Sequence, residues 1–194
     1  MLVRHGETAW TISGQHTSHT DVALTARGEE QARRLADVLR HRSFALVLTS
    51  PLRRAADTAR LAGFGDATAD DDLREWDYGD FEGRTTSEIR RDQPEWTLWR
   101  DGVPGGETAS QVAERADRVL TRARAAGGDV LVFSHGHLLR VLAARWLGLD
   151  ADAGRFFALS PGTISLLGWE REQAVISGWN EAPSLPPPGA PQSP

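Results

Sequence analysis

Apolar side chains recur every three or four residues in three segments of the chain, a spacing typical of helices with one buried face. In residues 25–40 these positions are Ala32, Leu35, Ala36 and Leu39. Thr25 is a suitable N-cap, and acidic residues follow it in the first turn. A second helix is predicted over about residues 108–125, and a third from residue 137 to near residue 148.

Short apolar runs of strand length alternate with these helices. They lie at residues 2–3, 44–50 and 129–134, and two more, 163–170 and 174–179, predict a strand pair joined by a polar turn. Ser50-Pro51 predicts an N-cap followed by a helix from Pro51 to about Gly63. The alternation predicts an α/β fold, a three-layer α/β/α sandwich with a mostly parallel central sheet. Such sheets bind ligands at the carboxyl ends of their strands.

The 194 residues suffice for one domain, which we expect to span residues 1–181. Residues 182–194, APSLPPPGAPQSP, predict a disordered proline-rich tail. A net charge of −5 argues against nucleic acid or an anionic membrane as partner, and the absence of cysteine excludes disulfides and thiolate metal sites. No apolar run reaches the roughly 20 residues of a membrane span. No secretory signal is recognisable, so the expected location is the cytoplasm.

Two strand–His–Gly units carry the strongest chemical signal. LVRHGETAW places Arg4, His5 and Gly6 after the first apolar run, and LVFSHGHLL places His135 in the same way after a later one. Two histidines at the ends of two strands predict one shared site. A glycine permits close approach to a ligand, an arginine can bind phosphate or carboxylate, and a neutral imidazole can act as a nucleophile.

Further candidates lie between these units. Arg53 stands with Arg54 in the first turn of a predicted helix, where it is either a solvent-exposed residue or part of an anion site. Glu75 lies in the acidic segment LREWDYGDFEG, and burial beside Trp76 and Tyr78 would raise the pKa of its carboxyl group, as a general acid requires.

The chain resembles the histidine phosphatase superfamily, which includes phosphoglycerate mutases and acid phosphatases. The segments LVRHGETAW, TSPLRRAADTA, LREWDYGDFEG, GGET and SHGH carry the resemblance and occur in the expected order between residues 2 and 179. It implies a phosphoglycerate mutase-like fold in which His5 attacks phosphorus and becomes phosphorylated. Arg4, Arg53 and His135 would bind the phosphate oxygens, and Glu75 would protonate the leaving alcohol. No metal or other cofactor is expected.

A phosphatase is favoured over a mutase of this superfamily. Mutases carry a long insertion between the acid and the Gly-Glu-Thr/Ser motif, whereas here 31 residues lie between Glu75 and Glu107. Mutases also usually have asparagine after the motif tryptophan, where this chain has Thr11. Thr11 is a candidate phosphate contact through its hydroxyl group. The alternative function is a cofactor-dependent phosphoglycerate mutase.

The expected substrate is a small phosphate ester, with sugar phosphates included. The segment from Ser13 to Thr25 resembles the substrate loop of superfamily phosphatases, and the candidate substrate-binding residues are Gln15, His16, Thr17, Ser18, Tyr78 and His137. Seven tryptophans are consistent with an aromatic-lined pocket or an apolar homodimer surface.

Two further alternatives remain open from the sequence. A metal-dependent hydrolase could use His5, His135 and His137 with the carboxylates of residues 70–72. A non-catalytic domain that binds a phosphorylated ligand is the other. The presence of every expected catalytic residue type argues against the second of these.

Overall fold

A six-stranded mixed sheet forms the centre of the computed structural model, which describes residues 1–183. The strands, in chain order, are β1 (Leu2–Arg4), β2 (Leu46–Thr49), β3 (Thr68–Ala69), β4 (Val130–Ser134), β5 (Ile164–Glu170) and β6 (Gln173–Glu181). Their order across the sheet is β3-β2-β4-β1-β5-β6. The first four in that order are parallel, and β5 and β6 are antiparallel additions. The mostly parallel sheet and the terminal strand pair confirm the sequence prediction.

Helices of very different length connect the strands. The α-helices are α1 (Ala9–Ser13), α2 (Ala26–Leu39), α3 (Arg53–Leu61), α4 (Thr86–Asp92), α5 (Leu98–Asp101), α6 (Ala109–Ala125) and α7 (Gly136–Trp146). Short 3₁₀ helices cover Asp71–Leu73, Gly79–Phe81 and Ala151–Phe156. Four of these short elements lie between β3 and α6, in the segment that carries Glu75: two 3₁₀ helices, Asp71–Leu73 and Gly79–Phe81, and the helices α4 and α5.

Helices cover both faces of the sheet because side chains alternate along its central strands. In β1, Leu2 belongs to the larger apolar cluster with α6 and α7, whereas Val3 belongs to the smaller one with α2 and α3. In β4, Val132 faces the first cluster and Phe133 the second. The three-layer α/β/α sandwich is therefore confirmed.

Helix capping follows the sequence prediction at one long helix and departs from it at another. The Thr25 hydroxyl accepts a hydrogen bond from the Gly28 N–H at 3.0 Å and caps α2. The prediction that α3 starts at Pro51 with Ser50 as its N-cap is wrong. The helix begins at Arg53, its N-cap is Leu52 without a side-chain cap, and the Ser50 hydroxyl contacts His135 instead.

The carboxyl-terminal segment lies mostly beyond the part of the chain that the structure describes. The predicted tail, residues 182–194, lies outside the described residues except for Ala182 and Pro183. The boundary at residue 181 remains a prediction. Within residues 1–183, none of the helices has the length and apolar character needed to cross a bilayer.

Candidate active site

The candidate site lies where three neighbouring parallel strands end. His5 directly follows β1, Ser50 follows β2 and His135 follows β4, and these strands are adjacent in the sheet. The carboxyl ends of parallel strands share one edge, so the three side chains meet there. The centroids of the His5 and His135 rings are 5.2 Å apart, so the structure brings the two strand–His–Gly units together.

His5 is buried with one ring nitrogen already engaged. Its Nδ1 lies 2.8 Å from the Gly6 carbonyl oxygen, which can only accept, so Nδ1 carries the proton and donates it. The lone pair is therefore on Nε2. Burial, reinforced by the positive charges of Arg54 and Arg4, lowers the pKa of His5 well below its usual value. The imidazole is thus neutral and able to act as a nucleophile.

His135 is also buried, but its free nitrogen is the other one. Its Nε2 lies 2.7 Å from the Ser50 hydroxyl oxygen, whereas its Nδ1 is buried without a hydrogen-bond partner among the described residues. Burial, followed by the charge of Arg54, holds the pKa of His135 well below its usual value. The ring is therefore a neutral group with an unused polar atom at the strand edge.

Arg4 lies against the amino end of α7. One of its terminal nitrogens donates to the Leu159 carbonyl oxygen. A Cβ atom on Gly136 would lie 3.2 Å from Cζ of Arg4, so this glycine leaves space for the guanidinium group. The Nε atom of Arg4 is buried without a partner in residues 1–183. Arg4 thus brings a positive charge and an unused donor to the two histidines.

Arg54, and not Arg53, joins this group, which corrects the sequence prediction. Arg53 is 60% exposed at its side chain and pairs with Asp57 one turn along α3, with 3.3 Å between nitrogen and oxygen. Arg54 is 0% exposed. Arg54 and Thr58 share the buried face of α3, because residues four apart lie on the same side of a helix. In the sequence, the opposite charges of Arg53 and Asp57 four residues apart are typical of a solvent-exposed helix face and could have identified Arg53 as the exposed arginine.

The Arg54 guanidinium group also holds the substrate loop in place. It donates to the carbonyl oxygens of Thr17 at 3.0 Å, Ser18 at 3.1 Å and Thr20 at 3.3 Å. Its Nε is buried without a partner in the described part of the chain. Burial lowers the pKa of Arg54, and the charge of Glu75 partly offsets this.

Gly6 has a packing role that the sequence interpretation missed. We expected this glycine to let the backbone approach a ligand. A Cβ atom at position 6 would instead lie 2.4 Å from the Gly28 carbonyl oxygen in α2. The Gly6 N–H donates to the Thr58 hydroxyl at 3.1 Å. The glycine therefore permits close contact between the His5 loop and the helices on one face of the sheet.

The Glu75 carboxyl group lies at the amino end of α7. Its Oε1 accepts hydrogen bonds from the N–H groups of Trp76 and Leu138, both at 2.9 Å. Its Oε2 accepts from the His137 N–H at 3.0 Å. Glu75 is buried, and Trp76 and Tyr78 beside it are buried as well. Three backbone donors thus fix the position of a carboxyl group next to the strand edge that carries His5 and His135.

Aromatic rings form a wall next to Glu75. The Tyr78 hydroxyl lies 2.6 Å from Nδ1 of His137, and the His16 ring centroid is 4.7 Å from that of Tyr78. Trp96 and Trp99 extend the wall, with centroids 5.7 Å from His16 and 5.4 Å from His137. Burial lowers the pKa of His16 to about 4 and that of His137 well below its usual value. The wall is therefore uncharged at neutral pH.

The other predicted substrate residues have structural partners. Gln15 donates from Nε2 to the Gly83 carbonyl oxygen at 2.8 Å, and the Thr17 hydroxyl donates to the Gln15 carbonyl oxygen at 3.1 Å. Ser18 is buried, and its N–H donates to the Glu82 carboxylate at 2.8 Å. The Thr11 hydroxyl forms a capping box with Thr8 at the start of α1. Of the loop residues predicted, His16 is thus the one whose ring lies on the aromatic wall.

The carboxylates proposed for a metal site have arginine partners instead. Asp72 accepts from Arg118 and Arg122, and Asp70 pairs with Arg122 at 2.7 Å. Within residues 1–183, no group of three or more histidine, aspartate or glutamate side chains is arranged to hold a metal ion. The sequence-based metal site with His5, His135, His137 and residues 70–72 is therefore not assembled in this fold.

The fold and the site together describe an α/β protein with two histidines at strand ends and two buried arginines beside them. Comparison with known proteins gives the family. The model of the histidine phosphatase superfamily (branch 1) matches residues 1–182, and the chain belongs to this superfamily.

Curated relatives carry phosphatase and mutase names. The chain is 41% identical over 183 residues to an acid phosphatase of Mycobacterium tuberculosis, covering 91% of this chain and 90% of that protein. It is 38% identical over 186 residues to the sedoheptulose 1,7-bisphosphatase of Saccharomyces cerevisiae, covering 78% and 68%. A probable phosphoglycerate mutase of Salmonella choleraesuis is 33% identical over 92% of this chain and 88% of its own.

Solved structures share the whole fold. A functionally characterised open reading frame of Mycobacterium tuberculosis superposes with a TM-score of 0.90 at 38% identity, covering 94% of this chain and 97% of its own. The α-ribazole phosphatase of Shigella flexneri superposes with a TM-score of 0.81 at 31% identity, covering 93% and 95%.

Proposed function

We propose that this chain is a metal-independent phosphomonoester hydrolase that acts through phosphorylated His5. One observation carries the proposal. Among the described residues, four buried side-chain nitrogens lack a hydrogen-bond partner, and three of them, on Arg4, Arg54 and His135, surround His5. An unpaired buried polar atom costs free energy, so a cluster of them needs a ligand to satisfy it. A phosphoryl group supplies acceptor oxygens to all three nitrogens.

The first chemical step transfers the phosphoryl group to the enzyme. The Nε2 lone pair of His5 attacks phosphorus, and the bond between phosphorus and the ester oxygen breaks. Arg4, Arg54 and His135 neutralise charge on the three remaining oxygens in the transition state. Glu75 in its protonated form gives its proton to the departing alkoxide, so an alcohol leaves.

The second step returns the enzyme to its starting state. Glu75, now a carboxylate, takes a proton from a water molecule while the water oxygen attacks phosphorus. The bond between His5 Nε2 and phosphorus breaks, and inorganic phosphate leaves. Glu75 is protonated again and ready for the next substrate.

Ser50 favours the protonation state that phosphate binding requires of His135. The Ser50 oxygen accepts a 3.3 Å hydrogen bond from the Leu52 N–H, so its own proton is free to go to Nε2 of His135. A neutral ring that accepts at Nε2 carries its proton on Nδ1. The unpartnered Nδ1 is then a donor for a phosphate oxygen.

The low pKa of His5 and the acid role of Glu75 together give an acidic pH optimum. Since burial holds the pKa of His5 well below its usual value, the nucleophile stays unprotonated in mild acid. As the general acid of the proposed mechanism, Glu75 must carry a proton at the start of the cycle. Turnover should therefore fall from mildly acidic towards neutral and alkaline pH.

The substrate is a small phosphate ester, and we propose a sugar phosphate. The wall formed by His16, Tyr78 and His137 offers rings for packing and polar atoms for hydroxyl groups. The named acid phosphatase and sedoheptulose bisphosphatase relatives support this class of substrate. A cytoplasmic location and a homodimer remain predictions.

A mutase is the second candidate because a curated relative carries that name. A mutase of this superfamily would need basic residues to hold a bisphosphate cofactor, and Arg90-Arg91 is the one pair of adjacent basic residues between Glu75 and Glu107. Arg90 donates from Nε to the Trp96 carbonyl oxygen at 2.9 Å and so fixes the turn after α4. This contact favours a structural role for Arg90 and supports the phosphatase.

Phosphate release from a panel of phosphate esters, with and without EDTA and from pH 4 to 8, tests the proposal. We expect release that resists the chelator and acid-labile labelled phosphate on His5 after rapid quenching. Chelator-sensitive release would contradict the metal-independent mechanism. Interconversion of phosphoglycerates after addition of bisphosphoglycerate, with little net release, would identify a mutase instead.

A further inference from the structure

Two sequence segments that received no separate role, GGET and the turn after Glu75, form one structural unit. A Cβ atom on Gly106 would lie 2.3 Å from the Asp77 carbonyl oxygen, so the two backbones are in close contact. The Glu107 N–H donates to that same oxygen at 3.0 Å. The indole N–H of Trp76 donates to the Glu107 carbonyl oxygen at 2.9 Å. The GGET backbone therefore supports the residues that directly follow Glu75.

The Glu107 side chain extends this support to a second helix. Its carboxylate accepts two hydrogen bonds from Arg115 of α6, from Nε at 2.7 Å and from Nη2 at 2.8 Å. Its Oε2 also accepts from the Asp77 N–H at 2.9 Å. The Arg115 side chain is 12% exposed and that of Glu107 is 21% exposed, so solvent screens this pair far less than a surface pair.

Arg115 in turn holds the backbone on the other side of Glu75. Its Nη1 donates to the carbonyl oxygens of Asp72 at 2.7 Å and Arg74 at 3.0 Å. Its Nη2 lies 3.5 Å from the carbonyl oxygen of Glu75 itself. One guanidinium group thus spans the backbone from residue 72 to residue 75, and its carboxylate partner holds residue 77.

The Glu75 side chain leaves this fixed backbone to reach the amino end of α7. The backbone is held from α6, and the carboxyl oxygens are held by the N–H groups of residues 76, 137 and 138. A general acid must lie within hydrogen-bond distance of the leaving oxygen, and an error of about 1 Å can cost 10²-fold in rate. The contacts with α6 therefore fix the backbone from which the Glu75 carboxyl group extends.

We propose that Glu107 and Arg115 are positioning residues for Glu75. They touch neither the phosphoryl group nor the leaving group, and they act by fixing the backbone from which the Glu75 carboxyl group reaches the leaving oxygen. The inference rests on the proposed role of Glu75 as general acid. It predicts that the pair matters most for substrates whose leaving group needs a proton.

The test compares an alkyl phosphate with p-nitrophenyl phosphate, whose leaving group departs without protonation. In Glu107→Gln, kcat/KM for the alkyl phosphate should fall by about 10- to 100-fold, and kcat/KM for p-nitrophenyl phosphate by less than about threefold. The ratio kcat/KM is compared because it reports phosphoryl transfer to His5 and not the later hydrolysis, in which Glu75 acts with both substrates. Arg115→Lys keeps the charge but loses the planar fork, and it should give the same selective loss. An equal loss for both substrates, or no loss, would overturn the proposal.

A second arm measures whether the effect passes through Glu75. Adding Glu107→Gln to Glu75→Gln should change kcat/KM for the alkyl phosphate by less than about twofold, because coupled residues are not additive. A full further loss in the double variant would show that Glu107 supports the fold in general and would overturn the proposal. Glu107→Gln conserves size, so this arm remains usable if an Arg115 variant does not fold.

Controls separate this inference from the proposed function. The pair Arg145–Asp117 also joins through two hydrogen bonds, both of 3.0 Å, and Asp117→Asn should leave the ratio of the two kcat/KM values unchanged. If Glu75→Gln alone shows no dependence on the leaving group, the acid role of Glu75 fails. If Glu75→Gln shows it and Glu107→Gln does not, only the positioning role fails.

Discussion

The two strand–His–Gly units look alike in sequence and differ in structure. After β1, His5 donates from Nδ1 to the Gly6 carbonyl oxygen at 2.8 Å and keeps its Nε2 lone pair free. After β4, His135 is held at Nε2 by Ser50 at 2.7 Å and keeps Nδ1 unpartnered among the described residues. The same residue type thus presents a lone pair in one unit and, by the Ser50 argument, a donor in the other. The hydrogen bond on the second nitrogen decides which role each histidine can perform.

The glycines that follow the two histidines also differ in what they pack against. Gly6 lies against the backbone of α2, where a Cβ atom would be 2.4 Å from the Gly28 carbonyl oxygen. Gly136 lies against the Arg4 side chain, where a Cβ atom would be 3.2 Å from Cζ. Gly6 therefore serves backbone packing, whereas Gly136 leaves room for the Arg4 guanidinium group.

Replacing each histidine should separate the two roles, with the largest effect expected here. His5→Ala should abolish turnover and covalent labelling, because no other group can carry the phosphoryl group. His135→Asn should lower kcat/KM by about 10²- to 10³-fold, as for loss of one transition-state donor, but should still give labelled His5. Rapid quenching with labelled substrate measures both. Residual turnover above a trace in His5→Ala, with the protein folded, would contradict this division of roles.

The next largest effect should distinguish Arg54 from Arg53 as the arginine that acts together with His5. Arg54→Met should lower kcat/KM by about 10²- to 10³-fold and weaken competitive inhibition by inorganic phosphate, since a buried cation is removed. Arg53→Met removes a 60% exposed side chain and should stay within about twofold of the wild type. Steady-state kinetics with p-nitrophenyl phosphate compare the two. A larger loss for Arg53→Met would reverse the assignment.

Replacing each glycine by alanine should have a moderate effect, mainly on stability at Gly6 and mainly on phosphate binding at Gly136. Gly6→Ala should lower the free energy of unfolding by about 1–3 kcal/mol, because backbone cannot easily move away from the new methyl group. Gly136→Ala should displace Arg4 and raise the inhibition constant of inorganic phosphate on the order of tenfold, with a smaller loss of stability. Urea unfolding and phosphate inhibition are the paired measurements. The same pattern in both variants would show that the glycines are equivalent.

The smallest expected effect is on the pH dependence of stability. It tests the property that the two units share, which is a buried histidine with a lowered pKa. Burial lowers the pKa of both His5 and His135, so below pH 6.5 the unfolded chain binds protons that the folded chain does not. Stability should therefore fall as the pH falls from 6.5 towards 5. His5→Asn should remove about 1.4 kcal/mol per pH unit of that dependence.

Urea unfolding between pH 5 and pH 7.5 measures this slope. His41→Asn is the matched control, because His41 is exposed and its replacement should leave the slope unchanged. A His5→Asn slope equal to that of the wild type would mean that His5 is protonated in the folded protein.

Much of the fold follows from local patterns. The helix from Ala26 to Leu39, its cap at Thr25 and the buried strand from Val130 to Ser134 were all predicted, because each has a clear periodicity or end signal. The two-residue strand Thr68–Ala69 was missed, since it is exposed and exists through its pairing with β2. The predicted start of α3 was wrong because the Ser50 side chain contacts His135 as well as the Leu52 N–H, and the helix begins only at Arg53.

The site residues likewise fall into those that the sequence predicted and those that only the tertiary structure revealed. The motifs by themselves brought out His5, His135, Arg4 and Glu75, since each lies next to a strand end or in a distinctive segment. They did not distinguish Arg54 from Arg53, because only packing of α3 against the sheet decides which neighbour is buried. They gave no role to Glu107 or Arg115, whose contacts with the backbone on either side of Glu75 join residues 30 and 41 positions apart.

The sequence alone determined the fold class, the family resemblance and the residue types available for chemistry, because periodicity and motif order are properties of the chain. The tertiary structure decided which nitrogen of each histidine is free, which arginine is buried and how Glu75 is held. Those properties depend on hydrogen bonds between segments distant in the chain and on burial, which no local pattern records.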